Sequence, residues 1–356
     1  MSQTQYPCAN CGANVEFAPG TTVLKCPYCG AETQLAPTGR QIQEHSYAQF
    51  AGLPRKPIAT VAPHTFTCKG CGAVTQSDKI SDRCQFCGAP LVADVTSGDM
   101  VMPEAVLPFG VDRPAVREAL KSWTSSRWFA PNGLKKVTTA ETSHSTYLPH
   151  WTYDARTVSN YWGERGDHYW VTETYEENGE TRTRQVQKTR WRSASGTVAR
   201  DFDDVLITGT TRVAPKHLDK LEPWPLPESE PYRPEYLAGH ETLRYDVEPE
   251  SGLETAKSRM ASVIEQDCRE DIGGDEQRVR QVDTQYGDVT FKLMLLPVWI
   301  ACYLHAGKTY NILVNGRTGE VVGERPYSAA KIAAAVTAGI VLIVIIVVLI
   351  AMNKNS

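Results

Sequence analysis

The sequence predicts an α+β protein in three parts: two small cysteine-rich β modules, a mixed α+β middle region with the marks of a duplicated helix-then-sheet unit, and one C-terminal transmembrane helix. Three observations carry this. Four C-x-x-C pairs fall within the first 90 residues, two helical patterns are each followed by an L-P-x-W strand opening, and 21 consecutive uncharged residues lie near the end. At 356 residues the chain suits two or three domains. Its 41% apolar and 22% charged residues allow the middle region a real core.

The cysteine pairs are Cys8/Cys11, Cys26/Cys29, Cys68/Cys71 and Cys84/Cys87, and each is followed by Gly-Ala. A tetrahedral zinc ion takes four soft donors with sulfur at about 2.3 Å. A C-x-x-C turn supplies two thiolates at once, and the glycine behind it permits the positive φ that folds the chain around the metal. The two pairs of a module are separated by 14 residues in the first and 12 in the second, room for a short hairpin. This predicts zinc ribbons over 1–35 and 64–96, joined by a linker over 36–63 with a short helix at Gln41–Phe50. Neither module can bury a core alone, so two structural zinc ions would supply the missing stability, about 10–16 kcal/mol in zinc-finger peptides. With all four ligand positions filled, such ions have no open site for catalysis. The N-terminus is polar up to Cys8 and lacks a signal-peptide pattern, which argues for reduced thiols and against disulfides. Four tandem pairs do not fit a thioredoxin-type redox site. Four thiolates alone leave an iron centre as an alternative. Cys268 and Cys302 stand outside the modules and read as buried small apolar residues.

In the middle region a helix is expected over Asp112–Trp128, with Val116, Ala119, Leu120 and Trp123 on one face and Pro114 in its first turn. Leu148-Pro149-His150-Trp151 opens a strand after it. A second helix is expected over about Gly252–Ile272, with Ala256, Met260, Val263 and Ile264 at helical spacing, followed by Leu296-Pro297-Val298-Trp299. The repeat suggests units over 100–245 and 246–328. Tyr169–Val186 alternates about Asn178-Gly179 and reads as an exposed hairpin. Pro223–Pro234 reads as an extended connector. The run from Ile332 to Met352 spans roughly 31 Å as a helix, against a hydrocarbon core of about 30 Å.

Several functions find no support in the residues. There is no H-E-x-x-H, G-x-S-x-G or G-x-G-x-x-G sequence. Ala306-Gly307-Lys308-Thr309 echoes the end of a phosphate-binding loop, but Cys302 stands where its first glycine belongs and strand-like runs flank it, which predicts a hairpin turn. The histidines are scattered, so no enzyme is predicted. The net charge of −4 hides an acidic middle: residues 97–330 hold 28 basic and 35 acidic residues, and neither ribbon has a basic excess. Nucleic acid is therefore disfavoured as a partner. Trp151, Tyr153, Tyr161, Trp162, Tyr169, Trp170 and Trp191 crowd the first strand-rich part, as core or as interface anchors.

The C-x-x-C-G-A ribbons, PFGVDR at Pro108–Arg113, YLPHWTYDA at Tyr147–Ala155 and LVNGRTGEVVGERPYS at Leu313–Ser328 together resemble a bacterial family of tail-anchored proteins with two TFIIB-type zinc ribbons. Its members are often labelled primosomal protein N′ or PriA-like helicases on the strength of their ribbons. The motor motifs are absent from this sequence, so the resemblance implies membrane association instead, with flotillin-like (SPFH) or phage-shock-type proteins as partners in envelope stress. Of the family's functional positions only the eight module cysteines carry over. The expectation is a single-pass cell-membrane scaffold that recruits cytosolic protein partners. Arg317, Arg325 and Lys331 before the span, against Lys354 after it, put the N-terminal bulk in the cytoplasm. The alternative is a membrane-tethered nucleic-acid-binding or regulatory protein.

Overall fold

The computed structural model describes residues 3–4, 6–53, 56–68, 71–93, 100–125, 134, 143–305, 307–324 and 328–354. In chain order the first ribbon holds β1 (Gln3–Thr4), β2 (Glu16–Phe17), β3 (Val23–Lys25) and β4 (Glu32–Gln34). A strap follows with β5 (His45–Ser46) and α1 (Tyr47–Ala51), then the second ribbon with β6 (His64–Thr67), β7 (Val74–Ser77), β8 (Ser81–Arg83) and β9 (Pro90–Ala93). The body comprises β10 (Ala105–Val106), α2 (Arg113–Ser125), β11 (His144–Glu177), β12 (Glu180–Thr208), α3 (Pro215–Leu218), β13 (Glu230–Pro231), β14 (Glu241–Thr242), α4 (Pro249–Ile272), β15 (Glu276–His305), β16 (Lys308–Asn315) and β17 (Val321–Gly323). Helix α5 (Ala329–Lys354) ends the described chain. This is the mixed α+β architecture the sequence predicts.

The twin tetrapeptides lie at the centre of the body. β11 and β15 pair antiparallel with Leu148 opposite Leu296, so the two L-P-x-W openings face each other across a local two-fold. The symmetry extends outward. On the outer side of β11, β14 runs parallel with Glu241 opposite Thr146; on the outer side of β15, β10 runs parallel with Ala105 opposite Met294. Further along, β12 takes over beside β11 with Thr208 opposite His150, and β16 beside β15 with Asn315 opposite Val298. The Gly209 N–H donates to the Pro149 carbonyl and the Gly316 N–H to that of Pro297, both at 2.8 Å. Each proline thus turns its nitrogen toward the gap where one outer strand hands over to the next. A missing N–H there costs no ladder bond, which explains proline inside a central strand.

The tryptophans complete the symmetry. Trp151 donates its indole N–H to the Val247 carbonyl at 2.9 Å, just before α4, and Trp299 donates to the Val111 carbonyl at 3.0 Å, just before α2. Tyr245 meets Trp151 edge-on at 5.0 Å, and Phe109 meets Trp299 edge-on at 5.6 Å. Leu107-x-Phe109-x-Val111 and Leu243-x-Tyr245-x-Val247 are therefore the same element, and each half's tryptophan seats the other half's helix. The matched pattern starts at Leu107 in the first half and at Leu243 in the second. α2 covers Arg113–Ser125, within the expected range, with Val116 and Leu120 buried. α4 buries Ala256, Met260 and Ile264, but Val263 is exposed, because its position faces away from the sheet that the other three cover.

Asn178 and Gly179 turn the β11/β12 hairpin with φ of 54° and 77°, the twisted turn that Asn-Gly favours. The hairpin is far longer than the sequence pattern suggests. Its base is three-stranded, with β15 paired up to Glu276 opposite Gly166 and α4 lying over it. There Arg200 forms two 2.6 Å bonds to Asp267, and the Tyr161 hydroxyl bonds Asp271 at 2.6 Å. Beyond Gly166 only the two strands continue. Lys308 follows a turn with Gly307 at φ 74°, and His305 pairs with Lys308, so this segment is a hairpin and not the start of a helix.

The described residues of the 36–63 segment are bound to the body at several points. Arg40 pairs with Glu104 at 2.7 Å, β5 pairs with β15, and the Phe50 ring lies 4.7 Å from that of Phe291. Its helix is α1, shorter and later than expected. Pro223–Pro234 packs Trp224 into the core beside short 3-10 turns. In α5 the window Lys331–Val348 has mean hydropathy 2.8, and none of it is buried against the protein. That helix is long and apolar enough to cross a membrane.

Candidate metal centres

Each C-x-x-C folds as the same knuckle. The N–H of the glycine bonds back to the first cysteine's carbonyl: Gly12 to Cys8 at 2.9 Å, Gly30 to Cys26 at 3.0 Å, Gly72 to Cys68 at 2.7 Å and Gly88 to Cys84 at 2.8 Å. These glycines have φ of 74°, 74°, 75° and 73°, left-handed conformations that a side chain disfavours. In the next bond the first cysteine's N–H donates to the alanine carbonyl, as from Cys84 to Ala89 at 2.8 Å. The first cysteine of each knuckle is buried and the second exposed.

The knuckles meet in pairs. Cys8, Cys11, Cys26 and Cys29 bring their sulfurs within 4.8 Å of one another, and so do Cys68, Cys71, Cys84 and Cys87. The Cys8–Cys29 and Cys11–Cys26 sulfurs lie 3.5 and 3.6 Å apart; Cys68–Cys87 and Cys71–Cys84 lie 3.5 and 3.7 Å apart. A disulfide would place them at about 2.05 Å. A tetrahedron with sulfur about 2.3 Å from a central ion has edges of about 3.8 Å. The quartets therefore fit a zinc ion each, with no ligand position left over.

The thiols are electrostatically prepared for a dication. The backbone N–H of Cys29, with that of Tyr28, draws the Cys26 thiol down to about 6, and those of Cys87 and Phe86 draw Cys84 down to about 7. The Ala31 N–H favours a Cys29 thiolate, yet the sulfurs of Cys8, Cys11 and Cys26 push that thiol up to about 12. Cys87, with its Ala89 N–H, is pushed to about 12 by Cys68, Cys71 and Cys84. Four thiolates repel one another unless a cation sits among them, so metal binding and proton release are linked.

The ribbons are continuous with the body. β8 pairs with β14, Ser81 opposite Thr242, so the second ribbon extends the main sheet. The Phe17 N–H donates to the Ala238 carbonyl at 2.9 Å, and Phe17, Leu24 and Cys26 share one core with Phe109, Tyr147 and Trp299. Arg83 ties both ribbons to this junction through Glu16 and the Gly239 carbonyl, at 2.9 and 2.7 Å. Between the knuckles lies a groove of about 780 Å³ lined by Pro7, Ala13, Tyr28, Arg83, Ala89 and Pro90 among others. Tyr28 and Phe86, 79% and 73% exposed, occupy the same position in the second knuckle of each ribbon. Cys-Pro-Tyr-Cys and Cys-Gln-Phe-Cys carry that signal in the sequence, where an aromatic between two ligands cannot be core.

Other residues sort clearly. Cys268 is buried on the inner face of α4, but Cys302 is exposed and meets Asn311 Oδ1 at 3.1 Å, because its strand turns that position outward. Trp151, Tyr153 and Tyr161 are core, whereas Trp162 and Trp170 are exposed. Asp154, Asp203 and Asp204 also gather, yet the buried Lys292 ammonium already bonds Asp204 at 2.5 Å and contacts Glu44. Burial opposes that charge, and the two carboxylates hold it above the usual lysine range. The cluster is an ion-pair network.

The fold and quartets define a protein with two four-cysteine, zinc-ribbon-like centres built onto an α+β body, with an apolar helix at its far end. No family model matches the chain, and no solved structure matches it. The chain is similar to an uncharacterized protein of Bacillus subtilis (strain 168), YdjG, at 27% identity over 340 residues that cover 92% of each chain.

Proposed function

We propose that the chain is a membrane-anchored zinc-ribbon scaffold, with its bulk on the cytoplasmic face of the cell membrane, that recruits protein partners there. One observation carries this reading. Both ribbons are bound to the body, the second through β14 and the first through Ala238 and Phe109, with Tyr28 exposed beside a groove and Phe86 exposed, while α5 leaves its apolar surface uncovered. Exposed aromatics on a rigid, metal-fixed surface make good interface anchors. Closed ligand sets support a structural role for the zinc. The cationic residues on either side of α5 favour the cytoplasmic placement. The family resemblance points to flotillin-like or phage-shock-type proteins as the partners.

The test is affinity purification from membranes under several mild detergents. Intact chain should bring down a reproducible partner. Tyr28→Ala with Phe86→Ala should lose it while keeping bound zinc. Recovery of the intact chain alone in every detergent would sink the reading.

A nucleic-acid-binding role is less well supported. In the ribbons Lys79 is paired with Asp82 and Glu241, Arg83 with Glu16 and Lys25 with Glu32. Cations already matched to carboxylates release few counterions from phosphate. A salt-dependent gel shift with the full chain would favour this alternative instead.

A further inference from the structure

The β11/β12 arm has unusual charge and edges. From Asp167 to Glu177, β11 carries Asp167, Glu173, Glu176 and Glu177 and no Lys or Arg. From Thr181 to Arg200, β12 carries Arg182, Arg184, Lys188, Arg190, Arg192 and Arg200 and no Asp or Glu. Within the arm the strands neutralise each other: Arg182 with Glu177, Arg184 and Lys188 with Glu173, and Arg192 with Asp167. Both long edges are open. Among the described residues β12 pairs only with β11, and β11 has no second partner beyond Gly166. One edge of the arm is thus an acidic strand and the other a basic one, each offering unpaired backbone groups.

The direction of the arm follows from the register. Gly323 lies opposite Ile312, Ile312 opposite Ala301, and Ile300 opposite His144. The chain therefore leaves for α5 at the level where β11 starts, and β11 then runs 34 residues the other way. At about 3.3 Å per residue that is roughly 110 Å of strand.

We propose that the arm binds the arm of a second copy of this chain, the basic β12 edge of one against the acidic β11 edge of the next. The inference rests on the membrane anchoring proposed above, because copies held by α5 in one bilayer point their arms the same way. β12 of one copy then runs antiparallel to β11 of its neighbour, the geometry of a hairpin sheet. The symmetrical contacts fail on both counts: β12 against β12 is parallel and basic against basic, and β11 against β11 is parallel and acidic against acidic. Like charges directly opposite destabilise a strand pair. The arrangement is heterologous, so it repeats along a row of copies.

The test uses full chains bearing donor or acceptor fluorescent proteins ahead of Met1, in lipid vesicles. Energy transfer should exceed random proximity at the same surface density. A chain with residues 168–189 replaced by Asn-Gly should fall to that random level while keeping its zinc. A charge-swapped arm (Glu173→Lys, Glu176→Lys, Glu177→Lys, Arg182→Glu, Arg184→Glu, Lys188→Glu) keeps its cross-strand pairs. It should transfer to itself but not to the wild type. Undiminished transfer by the shortened chain, free mixing of swapped and wild-type chains, or transfer abolished only by added DNA or RNA nuclease would overturn the proposal. Co-flotation with the vesicles separates the two readings: floating without transfer overturns the arm contact alone, and failure to float overturns the anchoring beneath it.

Discussion

The half of the body from β10 to β12 and the half from β14 to β16 share one frame and use it differently. Leu107, Phe109 and Val111 match Leu243, Tyr245 and Val247; Trp151 matches Trp299; Gly209 matches Gly316. The differences sit at the margins of that frame. Fifty-eight residues separate His150 from Thr208, but 17 separate their counterparts Val298 and Asn315, so the first half grew the arm. The outer edge of β14 takes the second ribbon, with Thr242 opposite Ser81. The equivalent edge of β10 takes β13, with Val106 opposite Glu230. A two-fold core offers two equivalent strand edges and two equivalent hairpins. This protein keeps the core symmetrical and specialises one edge for metal modules and one hairpin for reach.

If the frame is truly shared, equivalent substitutions should cost similar amounts. Trp151→Ala and Trp299→Ala each remove a fully packed ring and orphan a carbonyl at the start of the other half's helix. Each should cost about 3–5 kcal/mol in denaturant unfolding. The double variant should be close to additive, since Trp151 and Trp299 pack in separate hydrophobic clusters. One tryptophan proving nearly neutral would break the symmetry argument. A smaller effect, about 2 kcal/mol, is expected from Gly316→Ala. A Cβ there would lie 2.6 Å from the Phe109 ring and 2.7 Å from the Pro297 carbonyl oxygen. For Gly209→Ala the nearest atoms are the Pro149 carbonyl and Cβ, at 2.9 Å and beyond, and it should cost less. The reverse order would show that the two handover points are not equivalent in packing.

The parts legible in the sequence are those whose geometry is local. A knuckle is closed within six residues, so Cys-x-x-Cys-Gly-Ala declares it. Asn178-Gly179 declares its turn, and 21 uncharged residues declare a helix that needs no other element. The twin L-P-x-W motifs show that something repeats. Their pairing with each other is invisible, because register between strands 148 residues apart is set by partners distant in sequence. The arm was seen only as a hairpin about its tip. The outer arm buries neither face, so its alternation of Thr, Tyr and charged residues carries no apolar stripe to mark how far the strands run. The strap over 36–63 looks like a linker because its hold on the body comes from scattered single residues, Arg40, His45 and Phe50. Docking of the ribbons left no trace, since Phe17 and Ser81 are ordinary residues until Ala238 and Thr242 are placed beside them.

The smallest expected effect tests the one place where the matched core positions differ in chemistry. His150 and Val298 are equivalent and both fully covered, but one is an imidazole. Burial holds His150 near 4 despite the Leu148 carbonyl on Nδ1 at 3.0 Å, which favours a proton. In the unfolded chain its value returns to about 6.5. The folded state thus keeps the ring neutral, and the unfolded state gains a proton as pH drops. The stability is whole above pH 6.5 and is lost as pH falls toward 4. By pH 5.5 the loss attributable to this ring is roughly 1 kcal/mol. His150→Val copies the other half's solution. Its unfolding midpoint should match or exceed the wild type at pH 5.5 while lying close to it at pH 7.5. Both chains carry the same thiolate quartets, so acid release of metal affects them alike and cancels from the difference. Parallel pH profiles for the two chains would mean that this imidazole titrates no differently folded than unfolded, and that the core is more open at His150 than at Val298.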